Sequence, residues 1–264
     1  VLLLKSGIDL TDLWFDVTSE NVTVILNDSI GNPRFYLADD VVSFSLEGTG
    51  DGRIYGNDLD NVLRGNDGDN RIDGRGGDDT LIGHGGDDYL IGRSGDDILV
   101  AGEGADTISA GSGDDVLYAA GGGADELMGG SGDDMIMLGN GEAMVLAGSG
   151  IDLIQMIGDD QDDSLDVVIG DLTGSDVLDM SALSVDSLSD HTALLSAGDL
   201  DVALRGFTKT NGDPIDHNIV FAASTEASVD AAMDRMGSYE APHSVTVTQL
   251  MELEAMNSGL LANG

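Results

Sequence analysis

The sequence of 264 residues contains no cysteine, three prolines and only ten basic residues. The absence of cysteine excludes a disulfide framework and a cysteine nucleophile. Ten Lys and Arg against 50 Asp and Glu give a formal net charge of −40, which excludes nucleic acid as an obvious partner and disfavours an anionic membrane surface. No apolar run is long enough for a transmembrane helix, and the first residues do not resemble a cleavable signal peptide.

Catalytic motifs are missing as well. The four histidines form no HExxH pattern, and the sequence contains no GxSxG motif and no phosphate-binding loop. Paired carboxylates are abundant, but their regular recurrence fits metal ligands better than the acid and base of a glycosidase. We therefore predict that this chain is not an enzyme.

One nine-residue pattern recurs about twelve times between Glu47 and Gln155. From Gly74 the chain reads GRGGDDTLI, GHGGDDYLI, GRSGDDILV, AGEGADTIS and AGSGDDVLY, and after the extra residue Ala119 it reads AGGGADELM and GGSGDDMIM. The eighth place is aliphatic in every window. The sixth place is Asp or Asn except at Gly52 and Ala143. Such periodicity indicates a repeat architecture.

The residue types in each window predict a tight turn followed by a short strand. Six Gly- and Asp-rich residues favour a turn, and the three that follow are long enough only for a short strand. Two windows then make one coil of 18 residues, with the eighth-place side chains inside. Sixth-place Asp side chains of adjacent coils face each other and repel, so they need a cation between them. Oxygen donors without Cys or His select calcium.

This pattern resembles the nonapeptide of the RTX (repeats-in-toxin) proteins. The resemblance implies an all-β fold, a parallel β-roll that binds calcium, and a bacterial protein that is secreted by the type I pathway to the extracellular space or the cell surface. We expect about six to eight calcium ions, bound most tightly in the middle of the array. The candidate ligand residues are Asn70, Asp79, Asp88, Asp97, Asp106, Asp115, Asp125, Asp134 and Asp152, with the turn glycines Gly74, Gly77, Gly83, Gly86, Gly92, Gly95, Gly104 and Gly113.

The regions on either side of the repeats suggest caps. Residues 1–46 are predicted to form an N-terminal β-rich cap, with strands near 21–26, 34–37 and 41–46, and residues 47–155 to form the β-roll. Residues 156–264 are predicted to be a C-terminal capping and secretion-signal region. It would contain a β-hairpin from 201–209 and 215–221 and two short helices near 224–237 and 246–259. The Asp residues within 167–183 would either hold one more ion or form a solvated loop.

One outer face of the roll is predicted to be apolar, because places seven and nine of each strand point outward. The opposite face is mixed. A contiguous apolar face must be covered, either by the flanks of the same chain or by a partner, including a second copy or a surface array. The face consists of Ile82, Ile98, Val100, Val116, Tyr118, Met135 and Met137.

These observations predict a secreted RTX β-roll that acts as a structural or binding module. The chain would stay extended at low intracellular calcium and fold outside the cell when calcium fills the Asp positions. One alternative is the C-terminal export and folding portion of a larger secreted enzyme or toxin. Another is a calcium-dependent adhesion or surface-layer component.

Overall fold

The computed structural model of the chain describes residues 2–4, 14–19, 22–26, 31–157, 166–169, 176–179, 193–195, 203–205 and 220–221. Within these residues every regular element is a β-strand, and all strand pairings are parallel. The fold is therefore a parallel β-solenoid, which confirms the predicted all-β β-roll. Among these described residues there is no helix that is long and apolar enough to cross a membrane.

The strands are short and follow one another at nearly regular intervals. They are β1 (Leu2–Leu4), β2 (Trp14–Val17), β3 (Val22–Leu26), β4 (Arg34–Leu37), β5 (Ser43–Gly48), β6 (Arg53–Tyr55), β7 (Val62–Arg64), β8 (Arg71–Gly76), β9 (Thr80–Gly85), β10 (Tyr89–Ser94), β11 (Ile98–Glu103), β12 (Thr107–Ser112), β13 (Val116–Ser131), β14 (Met135–Ser149), β15 (Leu153–Met156), β16 (Asp166–Ile169), β17 (Val177–Asp179), β18 (Ala193–Leu195), β19 (Ala203–Arg205) and β20 (Val220–Phe221).

The chain alternates between two sheets. Sheet 1 contains the odd-numbered strands and the first part of β14, and sheet 2 contains the even-numbered strands and the last part of β13. Within the repeats each strand pairs with the strand 18 residues away, as Leu81 does with Leu99. The extra residue Ala119 lengthens one coil, and the register shifts between Gly121 and Ala124. The extra residue is thus accommodated by a local irregularity of the ladder, and the stack continues on both sides of it.

Eighth-place side chains form the core between the two sheets. Ile72, Leu81, Leu90 and Leu99 are each 0% exposed. Their burial follows from the alternation of side chains along a strand, since the middle residue of each three-residue segment points inward while its neighbours point outward. Every coil thus contributes two aliphatic side chains to one continuous column, which the next coil covers.

The flanking segments continue the same two sheets. The strands predicted near 21–26, 34–37 and 41–46 form as β3, β4 and β5, and Phe44 of β5 lies in register with Leu63 of the repeats. Beyond the repeats, Leu153 pairs with Val177, and Val177 pairs with Ala203. These intervals exceed 18 residues because longer connections separate the strands. The ladders therefore pass through the expected boundaries near residues 46 and 155 without a break.

The hairpin expected from 201–209 and 215–221 is not formed by the described residues within it, 203–205 and 220–221. The described strand β19 pairs with β17, and β20 pairs with β18, both in parallel and on different sheets. In a solenoid each turn carries the chain to the opposite sheet, so consecutive strands do not pair with each other. The two helices expected near 224–237 and 246–259 lie outside the described residues.

The apolar outer face of sheet 1 is buried. Ile82, Val100 and Val116 are each 0% exposed, and Tyr118 is 2% exposed, all within the single chain. These side chains form a second hydrophobic cluster with Met135 and Met137, against which Ile98 and Leu153 pack. Burial in the absence of any partner favours cover by the same chain. The outer face of sheet 2 stays accessible, and Tyr89 is 37% exposed there.

Candidate metal centre

The sixth-place carboxylates form a buried ladder at each edge of the roll. Edge 1 is the set of turns that lead from sheet 2 to sheet 1, and edge 2 is the set that leads back. Edge 1 carries Asn61, Asp79, Asp97, Asp115, Asp134 and Asp152, and edge 2 carries Asn70, Asp88, Asp106 and Asp125. All ten side chains are at most 6% exposed. The structure therefore places the nine predicted sixth-place residues in two ladders that run along the axis of the solenoid.

One oxygen of each carboxylate is held by the neighbouring coil. Asp97 Oδ1 accepts a hydrogen bond from the Asp79 backbone N–H at 2.7 Å, and Asp115 Oδ1 accepts one from the Asp97 N–H at 2.7 Å. On edge 2, Asp106 Oδ1 accepts from the Asp88 N–H at 2.8 Å. These bonds fix each carboxylate in one orientation, because the donor belongs to a rigid turn of the coil before.

In five of these carboxylates the second oxygen is buried without a hydrogen-bond donor among the described residues. This holds for Oδ2 of Asp79, Asp88, Asp97, Asp106 and Asp134. A buried acceptor without a donor costs about 1–3 kcal/mol, and more when it is charged. Five such oxygens in regular positions are compensated if each meets a cation.

Carbonyl oxygens converge on the same places. A Cβ atom added to Gly83 would collide with both Asp88 Oδ2 and the Ala101 carbonyl oxygen of the coil above. A Cβ atom on Gly92 would likewise collide with Asp97 Oδ2. At Gly83 and Gly92 the glycine thus leaves room where carboxylate and carbonyl oxygens meet, whereas Ala101 and Ala110 hold the same place in the next two windows. This mixture of oxygen types is the donor set that calcium prefers.

Burial raises the pKa values of the ladder carboxyls. The pKa of Asp97 rises to about 8, because of burial first and repulsion from Asp115 and Asp79 second. Burial also raises the pKa of Asp88 to about 9 and that of Asp134 to about 8. Without a cation, these side chains resist ionisation near neutral pH. A bound divalent ion would supply the compensating charge.

A second carboxylate ladder lies at the surface and was missed by the sequence analysis. At place five, Asp60 Oδ1 accepts a hydrogen bond from the Asp78 N–H at 2.9 Å, and Asp78 Oδ1 accepts one from the Asp96 N–H at 2.9 Å. Here the donor belongs to the following coil, so the two ladders run in opposite directions. The signal was present in the Asp that recurs at place five of most windows, where only the following residue at place six was interpreted.

At the N-terminal end, asparagine amides take over the linking role. Asn57 Nδ2 donates to the carbonyl oxygens of Ala38 and Val41 at 2.6 and 2.8 Å. Its Oδ1 accepts a hydrogen bond from Asn61 Nδ2 at 3.1 Å. The predicted ligand Asn70 is held in the same way by Asn66. Amide N–H groups here occupy the carbonyl oxygens of the preceding coil, a role that needs no ion.

The ladder of edge 1 extends past the repeats. Asp176 is 1% exposed, and its Oδ1 accepts a hydrogen bond from the Asp152 N–H at 3.2 Å. The Asp residues within 167–183 were expected either to hold one more ion or to form a solvated loop. The burial of Asp176 argues against a solvated loop at this residue. Edge 2 ends earlier, because Ala143 stands opposite Asp125.

The predicted turn glycines fall into two groups. Gly77, Gly95, Gly104 and Gly113 have φ values between 99° and 132°, as Gly86 does at 93°, a region that favours glycine. Gly74, Gly83 and Gly92 instead pack against ladder carboxylates. Within the described part of the chain, no three His, Cys, Asp or Glu side chains come together in a way that could hold a metal. An ion at the ladder would therefore need backbone carbonyl ligands as well, since each coil offers one buried carboxylate per edge.

Two stacked sheets with buried carboxylates at both edges define a calcium-binding parallel β-roll. A comparison with protein families agrees: the RTX calcium-binding nonapeptide repeat (4 copies) matches residues 55–90, 91–122 and 120–154. Residues 55–154 therefore carry RTX calcium-binding nonapeptide repeats. Comparisons with curated proteins and with solved structures give no match. Calcium-binding repeats in a β-solenoid fit a calcium-binding structural module.

Proposed function

We propose that this protein is a secreted, calcium-dependent β-roll that folds when extracellular calcium fills the two buried ladders, and that it acts as a structural and binding module without catalytic activity. The observation that carries the proposal is the row of buried Asp Oδ2 atoms that lack a donor. The proposed ligands are Asn70, the sixth-place Asp residues from Asp79 to Asp152 and the carbonyl groups of the turn glycines. About six to eight ions would be bound.

The physical basis is the charge of the ladder. In the unloaded roll, ionisation of the ladder is unfavourable, because it leaves carboxylates of successive coils close together within a poorly solvated turn, where they repel each other. The unfolded chain relieves this repulsion by moving the carboxylates apart in water. Ions that bind the folded state more tightly than the unfolded chain stabilise it by mass action, and ligands assembled from several coils exist only after folding. Low intracellular calcium would then keep the chain extended until it has left the cell.

The flanking regions would serve this module as caps. The strands within residues 1–46 cover the first repeat coil, and residues 156–264 would cover the last coil and carry the signal for export. The continuous register on both sides of the repeats supports the capping role. Caps of this kind keep the exposed ends of a solenoid from pairing with other chains.

A calcium titration of the purified chain tests the proposal. Far-UV circular dichroism should show little β-structure in chelator and a cooperative gain with calcium, whereas magnesium at the same concentration should have little effect. A chain that is fully folded in chelator and does not respond to calcium would contradict it. Secretion is tested separately, by expressing the chain with a type I export system and measuring its amount in the medium with and without residues 156–264.

A further inference from the structure

Three arginines form an uninterrupted row on the outer face of sheet 2. Arg34, Arg53 and Arg71 begin β4, β6 and β8, and they are direct register partners. Neighbouring strands lie about 4.8 Å apart, so the three side chains leave the sheet at about that spacing. Like charges directly opposite each other destabilise a sheet. The row is therefore unfavourable for folding unless something negative lies against it.

Two turn arginines bend onto the same face. The Arg75 guanidinium lies 6.0 Å from the centre of the Tyr36 ring, and Arg93 binds Asp73. Both arginines have positive φ values, 81° and 84°, at a turn position where Gly111 stands in a later window. This conformation costs a residue with a side chain about 1–2 kcal/mol. Of the ten basic residues in a chain of charge −40, five thus lie on one part of one face.

We call Arg34, Arg53, Arg71, Arg75 and Arg93 the cationic face. Its arginines are partly or fully exposed. Among the described residues, the three arginines of the row form no ion pair, and the salt bridge on this face is that of Arg93.

The neighbours of the row are aromatic. Trp14 is the register partner of Arg34, and Tyr89 is that of Arg71. The Arg71 guanidinium lies 4.5 Å from the centre of the Tyr89 ring. Stacking on an aromatic ring orients a guanidinium group without using its hydrogen-bond donors. Arg71 is thus held in place and keeps its donors for a ligand.

The Asp73–Arg93 pair shows what this face binds. Arg93 Nε and Nη2 donate to the two carboxylate oxygens of Asp73 at 2.6 and 2.7 Å. Such paired hydrogen bonds are specific for planar oxyanions. A carboxylate is therefore already accommodated beside the row, and the free arginines offer the same fork of donors.

We infer that the cationic face is a binding site for a linear acidic polysaccharide, whose sugar carboxylates pair with Arg34, Arg53 and Arg71. Charge spacing favours this class of ligand. Duplex DNA carries one charge per roughly 1.7 Å of its axis, far denser than one arginine per about 4.8 Å. An extended acidic peptide presents same-side carboxylates about 6.6 Å apart, out of step with the row. In a polysaccharide the carboxylates are sparser, with one on each ring or on every second ring. Their spacing can match the distance between arginines on adjacent strands or on every second strand.

Net charge argues against a second copy of the chain as the occupant. Each copy carries a net charge of −40, so two copies repel each other over most of their surface. An oligosaccharide with few carboxylates experiences less of this repulsion. It can also lie along the sheet between the two acidic edges.

The test uses the calcium-loaded full chain and a short glucuronate-containing oligosaccharide of the hyaluronate type, with binding measured by isothermal titration calorimetry. The Arg53→Gln variant should weaken binding about tenfold or more, as expected for the loss of one charge-assisted pair. Arg53→Lys should restore binding only in part, because lysine lacks the planar fork. Arg64→Gln is the matched control, since it removes one positive charge from sheet 1. It should leave the affinity within about twofold, a difference of less than 0.5 kcal/mol.

Folding is monitored in parallel. Arg53→Gln should not lower the thermal unfolding temperature in calcium, because it relieves repulsion within the row. Equal binding of the carboxyl-reduced oligosaccharide, or equal weakening by Arg64→Gln, would overturn the inference. So would tighter binding of a DNA oligonucleotide, or self-association of the chain that Arg53→Gln abolishes in the absence of any oligosaccharide.

Discussion

Asp97 Oδ1 accepts a hydrogen bond from the backbone N–H of Asp79 at 2.7 Å, while Oδ2 of the same carboxylate is buried without a donor. One carboxylate thus joins two coils and leaves one oxygen for a cation. Substitution by asparagine separates these two roles, because the amide keeps an oxygen acceptor but carries no charge.

Asp97→Asn should therefore weaken the response to calcium without weakening the unloaded roll. We expect the calcium midpoint of folding to rise by at least about tenfold, and the stability in chelator to stay the same or increase. Circular dichroism during a calcium titration measures both. The control is Asp96→Asn, an adjacent exposed carboxylate with the same change of charge. A larger effect of Asp96→Asn would show that surface charge, rather than the buried ladder, controls folding.

Gly83 should be far less replaceable than Gly85, which lies two residues further along the same turn. Gly83→Ala places a Cβ atom against Asp88 Oδ2 and the Ala101 carbonyl oxygen, and we expect a loss of about 1–3 kcal/mol in the free energy of unfolding. Gly85→Ala is the control in the same turn, because its Cβ atom meets nothing closer than 3.7 Å. Urea unfolding in saturating calcium compares the two variants. If both variants lost the same free energy of unfolding, crowding around the Asp88 carboxylate would not explain why residue 83 is glycine.

The N-terminal coils should keep structure when calcium is removed. Asn57 and Asn66, at place two of their windows, tie the coils together through amide hydrogen bonds. The later coils have no asparagine at place two, and they bury the Oδ2 atoms of Asp97 and Asp106 without a donor among the described residues. In chelator, hydrogen exchange should be slower for the backbone amides of residues 57–70 than for those of 97–125. Asn57→Ala and Asn66→Ala together should abolish the difference. Uniform exchange along the unsubstituted chain would argue against this metal-free link.

Acidity should act in opposite directions with and without calcium. In the unfolded chain an Asp carboxyl has a pKa near 3.8, whereas in the roll burial raises the pKa to between about 6 for Asp106 and about 9 for Asp88. Because the folded state holds these protons more tightly, its proton-linked stability is complete below the unfolded pKa and is lost as pH rises through the folded values. In chelator, the chain should be more folded near about pH 5 than near about pH 9.

With calcium present the trend should reverse, because a protonated carboxyl is a poor ligand and protons compete with the ion. Thermal unfolding across this pH range, in chelator and in calcium, measures both trends. A chelated chain that is more stable at the higher pH would mean that the buried carboxyls are not the groups that control folding.

The repeats could be predicted from the sequence because their period is fixed. An aliphatic residue at the eighth place of every window and Asp or Asn at nearly every sixth place are enough to pair Leu81 with Leu99 and to align Asp97 with Asp79. The coils outside the repeats could not be recognised, because their connections differ in length and the period of 18 disappears. Outside the repeats, the alternation of apolar residues predicts a strand but does not indicate which strand pairs with it. Two neighbouring strands, 201–209 and 215–221, were therefore paired with each other as a hairpin.

The positions of side chains at the turns were also beyond the sequence. Arg75 and Arg93 occupy a turn place, and nothing in the pattern indicates that their side chains fold back over the outer face of sheet 2. That Asp60 and Asp78 accept hydrogen bonds from the following coil depends on the direction of backbone N–H groups, which composition does not reveal. The sequence therefore predicted the buried ladder, and the structure added the exposed one.

The opposed directions of the two carboxylate ladders determine how the roll can come apart. An internal coil is tied at one turn to the coil before it and the coil after it, as the bonds of Asp97 and Asp96 illustrate. An internal coil opens only by breaking the hydrogen bonds to both neighbouring coils, whereas a terminal coil breaks those to one neighbour. The roll should consequently unzip from its ends, and the lifetime of a central coil should depend on how many coils flank it.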